Sequence, residues 1–569
     1  MKRINPTYYF KNQYTLGSYL IFEGKIPIII SSRTVTFQMF SRFDQLLDTN
    51  SFVVNAEHPE SMSLLMHHDH RIKADGYSLD IQTTRKIIIR ANNQRGVRYA
   101  IAALNQLVKK EGSKFQIPII LIEDEPSFLY RGIIEGYYGE PWTTQERMEM
   151  FDFLDHNRLN TYMYAPKFDP YHREKWYELY PAQKISSLET LVSLAFEKDI
   201  IFYYCISPGY AKKPEEGFRY AEESEFERLF RKLDQLIHLG VKHFGLLLDD
   251  IDYRLSDENR KAFSRPGIAH SYICNKVNQY LKQKAVGGTL VMCPTEYHQI
   301  GASEYRTDLN RNLDSDIRVF WTGDNVCSEV ITTNDIARTK EAFGKELFIW
   351  DNFPVSDFTY GVREFIAPLE NRTVDLPRYA TGYMINPSIH YHISKIAMIT
   401  MAHYAWNSSK YDSSKSFEIA LKSVGEDFFK EGMDFIQYNY PSIFSYGNLS
   451  REKEMVDQKQ YDGIISYYQK IAESAKQLLN MNYPIIDELR PWLARAIKEQ
   501  EISVRIIEQV ITKDELTRFL EDIKFSGGEL LDYLIYDKKL LNEEEYQTLI
   551  LKRRGPKWYR VFEYKRWPR

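Results

Sequence analysis

Residues 241–252 read VKHFGLLLDDID. Residues 244–248 are apolar or small and run without alternation into two adjacent carboxylates, Asp249 and Asp250. This is the pattern of a strand buried on both faces that ends in charge. Such a strand is the usual way a parallel α/β barrel or sheet delivers catalytic groups to its C-terminal edge. The same ending also serves as a helix N-cap, where a carboxylate accepts backbone N–H bonds and does no chemistry. On this stretch alone the two readings stand level.

The flanking sequence favours the barrel. From Arg131 to Trp406 strand-like runs alternate with helical patterns, the strands falling at 131–136, 161–166, 200–207, 243–250, 289–297, 317–323, 347–353 and 382–386. Capping boxes are expected at Thr143 with Glu146, Ser186 with Glu189 and Ser224 with Glu227. Eight βα units over this length predict an α/β fold, a (β/α)8 TIM barrel occupying residues 126–406. Before it, residues 1–125 read as a small α+β domain, with strands at 26–31 and 86–90 and a helix at 97–108. After it, residues 407–569 read as a C-terminal helical bundle, clearest at 461–479 and 485–510, with a basic aromatic tail at 552–569.

Composition narrows the function. Lys and Arg total 74 against 78 Asp and Glu, a formal charge of -4 that supplies no field for nucleic acid. No stretch reaches the length of a membrane span and no signal peptide is visible, so a cytoplasmic protein is expected. The sequons at Asn371, Asn407 and Asn448 then carry little meaning. Cys205, Cys274, Cys293 and Cys327 are scattered and form no CxxC pair, so they read as reduced core thiols. The histidines of residues 66–70 (MHHDH) are better read as a polar loop than as ligands, and neither a metal nor a cofactor is expected. The 41 Tyr would suit sugar-stacking surfaces, although most are expected in the core.

Strand ends converge at one mouth of a barrel, so the closing residues belong together. They are Gly136 with Tyr137 and Tyr138, Lys167 with Asp169, Asp249 with Asp250, Glu296 with Tyr297, Trp321 with Thr322, Trp350 with Asp351 and Asn352, and Asn386. Carboxylates, amides, a single lysine and indoles make a poor phosphate site, and no HExxH cluster accompanies them. They suit a sugar: directional donors and acceptors beside stacking surfaces, with two carboxylates for acid–base work.

The motifs carrying these residues, RGIIEGYYGEPW (131–142), NTYMYAPK (160–167), DPYHR (169–173), LLLDDID (246–252), CPTEY (293–297), WTG (321–323), WDN (350–352) and Asn386-Pro387, resemble glycoside hydrolase family 84. That family contains β-N-acetylglucosaminidases that remove O-linked GlcNAc from proteins, and bacterial enzymes described as hyaluronidases. The resemblance implies substrate-assisted catalysis, in which the substrate's 2-acetamido oxygen attacks the anomeric carbon and a bicyclic oxazoline forms before water opens it with retention. It implies that Asp249 orients the acetamido N–H and that Asp250 acts as acid and then base. An anion at Asp249 would favour the protonated acid at Asp250.

The same resemblance assigns sugar contacts to the Gly136 backbone, Lys167, Asn352, Asp357 and Asn386, with Asp357 on the 4- and 6-hydroxyls. Tyr297 would assist at the reacting centre, Trp350 would wall the pocket, and Thr322 would join the substrate-binding set. The loops after Tyr297 and Asn352 would rim the aglycone side. The partner is a GlcNAc-containing glycan or glycoprotein, cleaved as an exo-acting enzyme would. An endo-acting hyaluronidase-like enzyme and a GlcNAc-binding module without turnover are the alternatives, and the oligomeric state is open.

Overall fold

Parallel strands with short crossover helices close into a barrel, and the computed structural model of this chain shows one. It describes residues 10–30, 46–54, 58–211, 216–284, 286–359, 364–438, 450–521, 530–542 and 544–545. The basic tail at 552–569 and the sequon at Asn448 lie outside the described residues. The chain forms two compact units. One gathers the residues up to Arg131 with Phe153–Asn160 and Ala402–Tyr411; the other holds Gly132–Asp152, Thr161–Met401 and the chain from Asp412 onward.

The barrel strands are Tyr130–Glu135, Thr161–Tyr164, Ile201–Ile206, His243–Leu247, Leu290–Cys293, Arg318–Trp321, Leu347–Asp351 and Ala380–Ile385, closed in chain order. Every neighbouring pair among the second to eighth strands is parallel, and the first pairs in parallel with the second. All eight expected strands are present. Four are buried from end to end and the other four at all but one residue, which is why their sequences run apolar without alternation. Much of the tyrosine is barrel core: Tyr162 stacks on Phe202 and Tyr164 on Tyr204, each with centroids 5.9 Å apart.

The fifth strand stops at Cys293, four residues before the expected end, because Pro294 has no N–H for the ladder. Of the expected capping boxes, the one at Thr143 and Glu146 forms, each side chain accepting from the other residue's backbone N–H. The other two do not. Ser186 lies inside helix Ala182–Glu197, which starts earlier because Pro181 is pre-set for the turn and its carbonyl accepts from Ile185. Ser224 lies inside Glu223–His238, which begins after Glu222 without a side-chain cap. An unforeseen capping box joins Thr332 and Asp335.

The N-terminal sheet has the order Asn12–Glu23, Lys114–Asp124, Tyr77–Ile81, Lys86–Ala91, Met62–His68, Ile26–Ile30, Phe52–Val54, and helix Gln94–Leu107 accompanies it. Residues 66–70 end one of these strands and turn, with Asp69 held 2.7 Å from Arg71. The same unit contains fully buried ion pairs: Asp75 receives Arg131 (2.9 Å), Arg95 and the Asn160 amide, and Asp124 receives Arg158 (3.0 Å) and the Trp406 indole.

After Asp412 the secondary structure of the described residues is helical. Tyr461–Leu479 packs against both Glu426–Tyr438 and Pro484–Ile507. Glu488 of the last of these accepts the backbone N–H groups of His392 (2.9 Å) and Ile393 (2.9 Å), a carboxylate on the positive end of helix Tyr391–Trp406. The helical segment therefore holds the start of the helix that follows Asn386. None of the described helices is long and apolar enough to cross a membrane.

Candidate active site

The fourth strand ends at Leu247, and one more ladder bond, from the Leu248 N–H to the Cys293 carbonyl (2.9 Å), carries the chain to a bend at Asp249–Asp250. The alternation of a strand no longer applies there. Both carboxylates consequently reach one ammonium: Lys167 Nζ lies 2.9 Å from Asp249 Oδ2 and 3.1 Å from Asp250 Oδ2. Burial opposes the charge on Lys167, but the two carboxylates outweigh it and hold the ammonium above its ordinary range. Lys167 therefore offsets the repulsion expected between the two acids.

Around this knot is a cavity of about 880 Å³ at the C-terminal mouth, lined by all ten residues named from sequence. They are Gly136, Lys167, Asp249, Asp250, Tyr297, Thr322, Trp350, Asn352, Asp357 and Asn386, drawn from seven of the eight strand ends and, for Asp357, from the loop after the seventh strand. A second cavity, about 590 Å³, opens among Lys242, Thr289, Arg318 and Glu346 at the opposite end of the barrel, away from the strand ends that carry catalytic groups in this fold.

Asp249 is buried, and while Lys167 holds Oδ2, its Oδ1 has no hydrogen-bond partner. An unpaired buried carboxylate oxygen is costly, so a donor is wanted at this point. Trp350 forms the wall opposite the first strand and donates its indole N–H to Asn352 Oδ1 (3.0 Å), which also accepts from Asn386 Nδ2 (2.9 Å). Asn386 Oδ1 in turn accepts the Gly136 N–H (3.1 Å). The Gly136 N–H is therefore engaged within the wall, leaving the carbonyl for a ligand. Any side chain at 136 would strike the indole, since a Cβ there falls 2.6 Å from Trp350 Cζ2.

Tyr297 is buried beside both acids; burial first, then the charges of Asp250 and Asp249, push its phenol well above its usual range, so it serves as a neutral donor. Burial also raises Asp357, against the pull of the Tyr138 N–H (2.7 Å) and its neighbour's. The Thr322 hydroxyl donates to the Asn325 carbonyl (2.9 Å), so it shapes the loop as well as lining the cavity.

Several strand-closing residues lie elsewhere. Asp351 is fully buried in a fork from Arg372 (2.7 and 2.8 Å), and Trp321 is core, its indole donating to the Gln299 carbonyl (2.9 Å). Asp169 collects the phenols of Tyr164 (2.8 Å) and Tyr180 (2.5 Å), Glu296 accepts from Tyr253 and Ser303, and Tyr137 packs on Trp142. These are carboxylates and aromatics satisfied by the scaffold. Conversely, Phe168, Val326, Phe358 and Ile389 line the cavity without having been named from sequence, and so do Cys293 and Cys327, which were read only as core thiols. Tyr138 and Arg173 were given no role there, yet both bond Asp250 Oδ2, at 2.6 and 3.1 Å. No spacing rule connects Arg173 to Asp250, and only the loop brings them together.

A (β/α)8 barrel whose mouth pairs two carboxylates on one lysine, beside amides and an indole wall, has the make-up of a glycoside hydrolase. Comparison with known proteins agrees. A family model described as beta-N-acetylglucosaminidase matches residues 131–437, and one described as glycosyl hydrolase family 20, domain 2 matches residues 17–125. The first match takes in more than half of the chain, which belongs to the β-N-acetylglucosaminidases of glycoside hydrolase family 84.

The curated relatives called Protein O-GlcNAcase from Rattus norvegicus and Mus musculus are each 33% identical over 315 residues. The matched region is 52% of this chain and 33% of theirs, so the chain spans about a third of the length of those relatives. Among solved structures, an O-GlcNAc hydrolase of Thermobaculum terrenum shares 28% identity at a TM-score of 0.66, over 76% of this chain and 98% of that one. CpGH84B has the same fold at 24% identity, with a TM-score of 0.76 over 94% of this chain and 99% of that one.

Proposed function

We propose that this chain is a retaining exo-β-N-acetylglucosaminidase that hydrolyses terminal β-linked GlcNAc from glycans or glycoproteins by substrate-assisted catalysis. The observation that carries the reading is Asp249 Oδ1, a buried carboxylate oxygen in the cavity wall with no partner. It supplies the acceptor that an acetamido N–H needs, while Lys167 holds the other oxygen in place. Orienting the acetamide through its N–H turns its carbonyl oxygen onto the anomeric carbon and stabilises the positive charge of the forming oxazolinium.

Asp250 gives a proton to the glycosidic oxygen as its bond to the anomeric carbon breaks. It then takes a proton from the water that adds to that carbon and opens the oxazoline. Tyr297 donates near the reacting centre. Asn352, Asn386, Asp357, the Gly136 carbonyl, Lys167 and the Thr322 wall define the sugar pocket, closed on one side by Trp350. Residues 126–406 carry this chemistry, with 1–125 and 407–569 as flanking domains. Lys167 is the one cation of the described cavity lining and is engaged with two acids, which gives a polyuronate chain little to bind. Four buried cysteines without a disulfide support a reducing compartment such as the cytoplasm.

Asp250→Asn tests the reading. Its rate on β-GlcNAc substrates with poor leaving groups should fall about 100- to 10,000-fold, with a much smaller loss on activated aryl groups that leave without a proton. Equal losses across leaving groups would contradict the acid role.

A further inference from the structure

Asp250 Oδ2 accepts from three donors at once: Tyr138 Oη (2.6 Å), Lys167 Nζ (3.1 Å) and Arg173 Nη2 (3.1 Å). Arg173 is the donor whose placement is most elaborately secured. Its side chain is only 4% exposed, its guanidinium stacks 3.9 Å from the Tyr210 ring, and its Nη2 also donates to Tyr138 Oη (3.0 Å). The loop bearing it is tied down on both sides. Asp169 gathers two tyrosine phenols and the Tyr171 N–H, His172 Nδ1 meets the Cys205 carbonyl (2.6 Å), and the Ser207 N–H donates to the His172 carbonyl (2.9 Å). A buried cation held this firmly against one oxygen of an acid does more than fill space.

We propose that Arg173 is a positioning residue for Asp250, fixing Oδ2 as the accepting oxygen so that the proton delivered to the leaving group is carried on Oδ1. This rests on the acid–base role given to Asp250 above. An oxygen that already receives three donors has no room for its own proton, so the transferable one sits on the other oxygen of the carboxyl. The positive charge of Arg173 also favours ionised Asp250, which is the state required when water attacks the oxazoline. The other titratable or charged groups facing Asp250 are Lys167 and Tyr138, which bond it, and Asp249, Tyr297 and Asp357, which act through space. Lys167 pairs with both acids, whereas the ion pair of Arg173 is with Asp250, Asp249 feeling its charge only through space.

The test is the pH profile of kcat/KM on a β-GlcNAc substrate with a poor leaving group, where the alkaline limb reports loss of the acid's proton. Arg173→Gln and Arg173→Met both remove the charge, so the result does not hinge on the folding of one variant. Each should move the alkaline limb up by about one pH unit, because losing a nearby cation favours the protonated acid. Arg173→Lys, which keeps the charge, should leave the limb near its parental place. A uniform drop in rate with an unmoved limb in the folded neutral variants would overturn the proposal and leave Arg173 a structural residue. Asp250→Asn separates the two layers. If the alkaline limb survives that change, the acid role itself is wrong; if it vanishes while the Arg173 variants stay unshifted, only the positioning claim fails.

Discussion

At the scale of single residues, the site depends on groups left deliberately incomplete. Asp249 Oδ1 is buried and has no partner among the protein's own atoms, and leaving such an oxygen unpaired costs roughly 1–3 kcal/mol, which a donor from the substrate relieves. Gly136 is the counterpart on the wall side, with a hydrogen where any other residue would place carbon 2.6 Å from the Trp350 ring. Gly136→Ala should push the indole or the first strand end out of place and lower kcat/KM about 100-fold, with little change in Tm; an unaltered rate would show that the wall moves freely. Nine of the ten cavity-lining residues named from sequence were legible because each sits in a motif at or just past a strand end, whereas Asp357, in the loop after the seventh strand, came only from the resemblance. Tyr138 and Arg173 were not assigned, because contact between an arginine and an aspartate 77 positions later is set by the loop's folding and leaves no local pattern.

At the scale of elements, apolar runs without alternation located all eight barrel strands, since strands buried on both faces leave no other composition. Their ends were less legible. The ladder stops where a proline removes a donor, as at Pro294, or where the chain bends, as at Asp249, and the hydropathy pattern is silent on both. Two of the three expected helix starts failed for a related reason: a Ser followed three residues later by Glu recurs inside helices, and Pro181 outweighed Ser186. The loop after the seventh strand carries its own titrating group. Burial, above all, pushes the Glu364 carboxyl up to about 8, while it accepts the Ser356 hydroxyl (2.7 Å) next to Asp357. A carboxyl raised in the folded state adds stability that is complete below its unfolded value of about 4.3 and is lost as pH rises through 8. Glu364→Gln, fixed in the neutral form, should therefore raise Tm at pH 9 relative to the parent and leave the pH 5 value close to it. Thermal melts at the two pH values check this, and an unchanged difference would mean that Glu364 is ionised in the fold at neutral pH.

At the scale of the whole molecule, stability draws on a barrel core and, in the unit that gathers the residues up to Arg131, on buried charges. Asp75 is held by Arg95, Arg131 and Asn160; burial opposes its charge, and the two arginines overcome that to keep its carboxyl well below the usual range. A lowered carboxyl adds stability that is present above about pH 4 and lost as the pH falls below it. Asp75→Asn leaves two guanidinium groups short of a charge and should cost about 3–5 kcal/mol in urea unfolding at pH 7, with the deficit shrinking toward pH 3. Nothing in the local sequence marks Asp75, because its partners Arg95, Arg131 and Asn160 lie 20 to 85 positions away. The activity, by contrast, rests on a claim about the substrate as much as the protein: the nucleophile is the sugar's own acetamide. Initial rates on an aryl β-GlcNAc and on the matching aryl β-glucoside, which lacks that group, test it directly. Rapid turnover of the first with essentially none of the second is the expected result, and comparable rates on both would contradict substrate-assisted catalysis and the role given to Asp249.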